Sequence, residues 1–154
     1  MILILDIDGV VISLRSHYST GKGGLMRQPD MVAVDAIRLF CERTGAKIVV
    51  SSIWRKREHE SDFCELMRKC NLRPYFHRDW NTPDMEWEGR GKEIQYWLDA
   101  HPEVGEDYII LDDQVDQLLP SQRHPKHLIQ CDVDEGMTSE NIRTLMKRAG
   151  YYKN

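Results

Sequence analysis

The chain has 154 residues, the length of one domain, and 41% of them are hydrophobic while 30% are charged. This composition excludes a disordered chain, a collagen-like chain and an array of repeats. Its 21 basic and 25 acidic residues leave a net charge of −4, which argues against a protein that coats nucleic acid through a general basic excess. The chain shows no targeting signal, no apolar run of membrane-spanning length and no CxxC pair. We therefore expect a cytoplasmic protein with free thiols and no membrane partner.

Short apolar runs alternate with amphipathic stretches along the chain. The apolar runs predict strands at 1–6, 47–51, 72–76, 108–112 and 127–131. The amphipathic stretches predict helices at 30–44, 59–70, 91–100 and 139–149. Segments rich in turn residues predict loops at 10–29 and 77–89. This order predicts one α/β domain over 1–154, in which helices cover both faces of a five-stranded, mainly parallel sheet.

Two pairs of acidic residues follow predicted strands. Asp6 and Asp8 end the first strand, and side chains two residues apart in an extended chain point the same way. Asp112 and Asp113 follow the fourth strand, where adjacent carboxylates repel each other unless a cation compensates them. Each pair alone is also typical of an ordinary turn. Because ligands bind beyond the carboxyl ends of parallel strands, the two pairs together favour a magnesium site.

Hydroxyl and basic residues complete this predicted site. Ser51 and Ser52 end the second strand, where a hydroxyl and the following backbone N–H groups can hold a phosphate oxygen or cap a helix. Arg90 and Lys92 begin the helix before the fourth strand, where a cation can offset the carboxylates or simply be solvated.

In their order, these groups resemble the four motifs of the haloacid dehalogenase-like (HAD) superfamily of phosphohydrolases. The matching segments are LDIDGV, IVVSS, RGK and IILDD, and the resemblance covers residues 2–113. SSIWR, RGKEIQYWL and HLIQCDVDEGMT look most like the small HAD domain of Swiss-Army-knife RNA-repair proteins and, more distantly, the phosphatase domain of phage polynucleotide kinase–phosphatases. The resemblance implies a three-layer, Rossmann-like (HAD-like) fold with a minimal cap. Val10 departs from the threonine that commonly follows DxDG in the superfamily.

The resemblance also implies a phosphatase that works through an aspartyl-phosphate. It makes Asp6 the nucleophile and Asp8 the acid that protonates the leaving alcohol and later activates water. It makes Ser51 a ligand of the transferring phosphoryl group. The charge-balancing cation is Arg90 or Lys92: the pattern RGxEIxxWL favours Arg90, on which we settle, and the general lysine preference of the superfamily favours Lys92.

Further residues are expected to hold the cofactor and the substrate. The resemblance implies a Mg²⁺ cofactor bound by carboxylates, and the predicted ligands are Asp6, Asp8, Asp112 and Asp113. Residues beside them are expected to contact the phosphorylated substrate, namely Gly9, Ser52 and Arg55.

Two segments bear on the substrate class. Residues 9–29, most of which form the predicted flap, contain three basic residues and no acid, and a second basic cluster occupies 55–57. Such residues contact phosphates, and Trp80 or Trp87 in the second loop can stack on a base. We therefore expect a nucleic-acid end or a nucleotide as substrate. The alternatives are a phosphorylated small metabolite, and a non-catalytic phosphate-binding or partner module on the same fold.

Overall fold

The computed structural model describes residues 1–18, 28–56, 59–85, 88–114, 116 and 124–152. The strands in these ranges are β1 (Ile2–Leu5), β2 (Lys47–Val50), β3 (Phe76–Asn81), β4 (Tyr108–Asp112) and β5 (Leu128–Gln130). The α-helices are α1 (Leu14–Tyr18), α2 (Met31–Thr44), α3 (Glu60–Cys70), α4 (Arg90–Ala100) and α5 (Ser139–Arg148). Short 3₁₀ helices occupy Ile53–Arg55, Arg73–Tyr75, Pro102–Val104 and His124–His127.

The strands form one parallel sheet in the order β3-β2-β1-β4-β5. β1 lies at the centre, with Leu5 opposite Val50 of β2 and opposite Leu111 of β4. This register sets the carboxyl ends of three strands side by side. The predicted α/β class with a parallel five-stranded sheet is confirmed.

Both faces of the sheet are buried, which explains the continuous apolar sequence of β1. Ile2 and Ile4 pack with Trp97 of α4 on one face. Leu3 and Leu5 point to the opposite face and belong to the larger core, which contains buried residues of α2, α3 and α5. The three layers are therefore α4, the sheet, and the group of α2, α3 and α5.

Two predicted segments need correction. The strand predicted at 72–76 begins only at Phe76, because Pro74 has no N–H to donate to a strand neighbour and instead lies in the 3₁₀ helix Arg73–Tyr75. Residues 77–81, predicted as loop, are consequently strand. The predicted loop 10–29 contains α1, which reciprocal backbone-to-hydroxyl hydrogen bonds between Ser13 and Ser16 support. Residues 19–27 of that loop lie outside the described residues.

The structure also describes the state of the cysteines and the lengths of the helices. All four cysteines are free thiols, as predicted. Burial raises the pKa of Cys41, Cys70 and Cys131 to about 12, which keeps these thiols protonated at neutral pH. Within the described ranges, every helix is too short or too polar to cross a membrane.

Candidate active site

Asp6 stands at the centre of a polar cluster at the carboxyl end of the sheet. Its backbone N–H donates to the carbonyl of Leu111 at 3.0 Å, and the N–H of Ser51 donates to the carbonyl of Leu5 at 2.9 Å. These bonds continue the sheet register by one residue, so that Asp6 lies between Ser51 and Asp112. The Asp6 side chain is only 2% exposed, and its Oδ1 accepts the Ile7 N–H at 2.7 Å.

Arg90 joins the two sheet-end carboxylates. Its Nη1 donates to Oδ2 of Asp6 at 2.6 Å and to Oδ2 of Asp112 at 2.7 Å. Arg90 is the first residue of α4, so the helix start directs this guanidinium toward the sheet edge. Lys92 is not at the site: it is 54% exposed and pairs with Glu88 at 3.0 Å. Of the two candidate cations, the structure therefore brings Arg90 to the carboxylates.

Burial sets the protonation of this cluster. It raises the pKa of Asp6 from its ordinary value of 3.8 to about 6, with Asp112 acting in the same direction while Arg90 opposes both. Burial likewise raises the pKa of Asp112 and of Asp113, and the charge of Asp6 adds to the rise at Asp113. Three carboxylates facing one guanidinium leave an excess of negative charge, which a bound cation would relieve.

The carboxylates of Asp6, Asp112 and Asp113 have the chemistry of a Mg²⁺ site. One oxygen from each lies within 4.8 Å of the others, and hard cations prefer oxygen ligands. Oδ1 of Asp113 is buried and has no hydrogen-bond partner among the described residues. The residues present therefore fit the magnesium ion that the sequence predicted.

Gly9 gives Asp113 its place. A Cβ built on Gly9 would lie 2.4 Å from Cγ of Asp113, and the φ of Gly9 is +75°, which side chains rarely adopt. The Gly9 N–H donates to the carbonyl of Ile12 at 2.7 Å. The predicted substrate contact through Gly9 stays a prediction; in this structure the Gly9 amide binds Ile12 and the glycine permits the close approach of Asp113.

Asp8 lies apart from the three clustered carboxylates. Its Oδ2 accepts a hydrogen bond from Nε1 of Trp54 at 2.9 Å, and the residue is half-buried. Asp8 was predicted as a fourth metal ligand, but its carboxylate is not part of the cluster that Asp6, Asp112 and Asp113 form. The physical reason is the turn at 7–9, which carries Asp8 past the strand end to the Trp54 indole. No motif in the sequence marks Trp54 for this contact, because its partner is brought to it only by the packing of its 3₁₀ helix.

Three buried hydroxyls lie at the ends of β2 and β3. Ser51, Ser52 and Thr82 are each 1% exposed, and the hydroxyls of Ser51 and Thr82 have no hydrogen-bond partner among the described residues. The Ser52 hydroxyl lies beside the Asp6 carboxylate, where it acts to lower the pKa of Asp6. The Thr82 N–H donates to the carbonyl of Val50 at 3.1 Å, which sets Thr82 beside Ser51. Buried hydroxyls without partners are costly, so this edge of the sheet has donors available for an anion. Thr82 was missed because the sequence did not predict that a strand ends at Asn81, directly before it.

The Arg55 side chain is buried and binds other parts of the protein. Its side chain is 4% exposed and forms an ion pair with Glu93 of α4 at 2.7 Å. It also donates to the carbonyls of Ser52 at 2.6 Å, Thr82 at 3.0 Å and Pro83 at 3.1 Å. The predicted substrate contact through Arg55 stays a prediction, and in this structure the Arg55 donors bind the chain itself. Glu93, the glutamate of the RGxEIxxWL pattern, completes this link.

The basic residues that were predicted to contact phosphates in 9–29 and 55–57 are paired with acidic residues where the structure describes them. Arg15 pairs with Asp30 and with Glu135, both at 2.9 Å, and Lys56 pairs with Asp84 at 3.1 Å. Lys22, Arg27 and Arg57 lie outside the described residues, as does Trp87.

Trp80, the other aromatic candidate for base stacking, packs against the core. Its ring centroid lies 5.2 Å from that of Phe63 and 5.6 Å from that of Phe76. It is half-buried in this stack, which fastens β3 to α3.

The fold and the site define a HAD-type phosphohydrolase domain: a parallel sheet with an aspartate pair after its central strand, a serine beside it, and an arginine joining two sheet-end carboxylates. The chain belongs to the family of HAD domains in Swiss Army Knife RNA repair proteins, whose family model matches residues 2–142. No curated protein matches the chain.

Proposed function

We propose that this protein is a Mg²⁺-dependent phosphatase that hydrolyses phosphomonoesters through an aspartyl-phosphate on Asp6. The observation that carries the proposal is the position of Arg90 Nη1, within 2.7 Å of both Asp6 and Asp112. This contact holds the nucleophile at the edge of a cluster of carboxylates and places a fixed positive charge where a phosphoryl group would lie.

The first step is an attack by the carboxylate of Asp6 on phosphorus. The bond between phosphorus and the ester oxygen breaks, and Asp8 gives a proton to the leaving alcohol. With a pKa of about 6, Asp6 is mostly ionised at neutral pH and so can act as the nucleophile. The hydroxyls of Ser51 and Thr82 have no partner among the described residues and would donate to phosphoryl oxygens.

The second step releases phosphate. Asp8, now ionised, takes a proton from water as the water oxygen attacks phosphorus, and the bond between phosphorus and Asp6 breaks. Asp6, Asp112 and Asp113 would hold Mg²⁺, whose charge offsets those of the carboxylates and of the phosphoryl oxygens when it is bound. Arg90 keeps its charge throughout, since Asp6 and Asp112 outweigh the effect of its burial and raise its pKa.

Hydrolysis of p-nitrophenyl phosphate with Mg²⁺ tests this function. We expect turnover by the wild type, a loss of at least about a thousandfold in Asp6→Asn, and a loss of about a hundredfold in Arg90→Met. Lys92→Met is the matched control and should stay within about twofold, because Lys92 is exposed and paired with Glu88. Equal rates for wild type and Asp6→Asn would overturn the assignment of Asp6 as the nucleophile. A wild type without any metal-dependent activity would instead indicate a binding module.

For the substrate we propose a phosphorylated nucleic-acid end or a nucleotide. Support comes from the family, which is described by its occurrence in RNA repair proteins. A phosphorylated small metabolite is the second candidate, and the pairing of Arg15, Arg55 and Lys56 with acids favours it, since paired cations attract a polyanion weakly.

A substrate panel separates these two candidates. It compares 3′- and 5′-phosphorylated oligoribonucleotides, mononucleotides and sugar phosphates by their kcat/KM at fixed ionic strength. A preference for oligonucleotides of tenfold or more is expected. Equal kcat/KM values across the panel would favour a phosphorylated small metabolite as the substrate.

A further inference from the structure

We propose that Trp54 is a positioning residue that orients Asp8, and that the site depends on it to hydrolyse phosphate esters whose leaving group is an alkyl alcohol. The inference rests on the proposed function, because it requires Asp8 to protonate the leaving group. Nothing in the four-motif pattern of the sequence assigns a role to this tryptophan.

The indole donor is held in place by its surroundings. Trp54 lies in the 3₁₀ helix Ile53–Arg55, directly after the serine pair, and its side chain is buried with 8% exposed. The turn is closed by the N–H of Arg55, which donates to the carbonyl of Ser52 at 3.1 Å. The buried Arg55 side chain grips the same carbonyl at 2.6 Å. The backbone that carries Trp54 is therefore fixed relative to the phosphate-binding edge of the sheet.

The contact has a chemical consequence. An indole N–H donates and never accepts a hydrogen bond, so Oδ2 of Asp8 acts as the acceptor, at 2.9 Å from Nε1 of Trp54. The carbonyl oxygen of a carboxyl group is a better acceptor than its hydroxyl oxygen, so this contact favours Oδ1 as the oxygen that carries the proton. Trp54 thus favours Oδ1 as the oxygen that gives its proton to the leaving alcohol as the phosphorus–oxygen bond breaks. The same oxygen recovers a proton when water attacks.

Leaving groups differ in how much they need this proton. A nitrophenolate departs readily without protonation, whereas an alkoxide is strongly basic and depends on a general acid. A fault in the orientation of Asp8 should therefore slow alkyl esters and largely spare aryl esters. A general loss of folding or of phosphate binding would slow both classes equally.

The experiment compares p-nitrophenyl phosphate with benzyl phosphate, which has a similar shape and an alkyl alcohol as leaving group. In Trp54→Phe, which removes the indole N–H, we expect kcat/KM, which reports the step in which the leaving group departs, to fall at least about tenfold for benzyl phosphate and to stay within about threefold for p-nitrophenyl phosphate. Trp97→Phe is the matched control: its indole N–H also makes a hydrogen bond, to the carbonyl of Asp79 at 2.9 Å, and its side chain is 4% exposed. It should change both rates by one common factor.

Equal losses on the two substrates in Trp54→Phe would overturn the role of Trp54. The proposed function fails in a different way, through full activity in Asp6→Asn or through equal losses on both substrates in Asp8→Asn. Should Trp54→Phe not fold, the indole N–H resonances of the full chain provide the test. In Asp8→Ala the Trp54 resonance should shift while that of Trp97 stays in place. An unshifted Trp54 resonance would overturn the proposal.

Discussion

At the scale of single residues, a missing side chain at Gly9 makes room for a carboxylate. Asp113 packs onto the Gly9 backbone so closely that even a Cβ would meet its carboxyl carbon at 2.4 Å. The glycine thus decides whether Asp113 can stand beside Asp6 and Asp112, the other two ligands of the proposed Mg²⁺.

The variant Gly9→Ala tests this arrangement. We expect a loss of about 1–3 kcal/mol in the free energy of unfolding and a weaker rise of Tm with added Mg²⁺, because the methyl group displaces Asp113. Urea unfolding and thermal unfolding with and without Mg²⁺ measure both effects. Gly45→Ala is the control: Gly45 has a similar φ of +70° but nothing within 4 Å of its Cβ position. It should lose about 1 kcal/mol and keep the full response to Mg²⁺. Identical Mg²⁺ responses in the two variants would contradict the prediction.

At the scale of elements, the start of α4 is fixed by a buried ion pair. Glu93 accepts the Met85 N–H at 3.0 Å through Oε1 and pairs with Arg55 at 2.7 Å through Oε2. Arg90 lies one turn earlier on the same helix. The link between the turn after β2 and α4 therefore helps to aim Arg90 at Asp6.

Replacement of Glu93 by glutamine should be costly. It leaves the Arg55 guanidinium buried beside a neutral amide, and we expect a loss of about 3 kcal/mol in the free energy of unfolding together with reduced phosphatase activity. The same change at Glu88 is the control, since Glu88 forms an exposed pair with Lys92 and should lose less than about 0.5 kcal/mol. Urea denaturation of both variants measures the difference. Similar stabilities would show that the buried pair does not hold the helix start.

At the scale of the whole molecule, the clustered carboxylates make stability depend on pH. Burial raises the pKa of Asp6 from 3.8 to about 6, so the folded state binds a proton more readily than the unfolded state between these values. Folding is then favoured by protonation, and the contribution of Asp6 to stability falls as the pH rises through this window. Mg²⁺ would offset that loss at neutral pH, where the carboxylates are ionised.

Unfolding of the metal-free protein across pH checks the sign. Between about pH 4 and pH 6.5, the wild type should lose stability relative to Asp6→Asn, by up to about 3 kcal/mol, because one pKa unit corresponds to about 1.4 kcal/mol. A chelator keeps divalent ions out of both samples. A stability difference between the two proteins that stays constant over this range would contradict the prediction, and one that grows in favour of the wild type would reverse it.

The features that are local to the chain could be predicted from the sequence. β1 and β4 were predictable because a strand buried on both faces has a continuous apolar sequence. The aspartates that follow them were identified from their position directly after these runs. The order of the motifs then sufficed to predict the parallel sheet and the sheet-end cluster of Asp6 and Asp112. β3 was placed wrongly, since an edge strand carries little apolar signal and Pro74 shifts its beginning.

The tertiary structure decided which side chains meet. Arg90 and Lys92 are two residues apart, which on a helix turns them toward different sides, and only the packing of α4 on the sheet selects Arg90 for the carboxylates. The sequence predicts a substrate contact for Arg55, and only the structure shows that its side chain is buried against Glu93. Trp54 reaches Asp8 across 46 positions of sequence, a contact that no local pattern carries. The polar residues at the strand ends could be predicted from the sequence. The contacts that packing forms between distant residues could not.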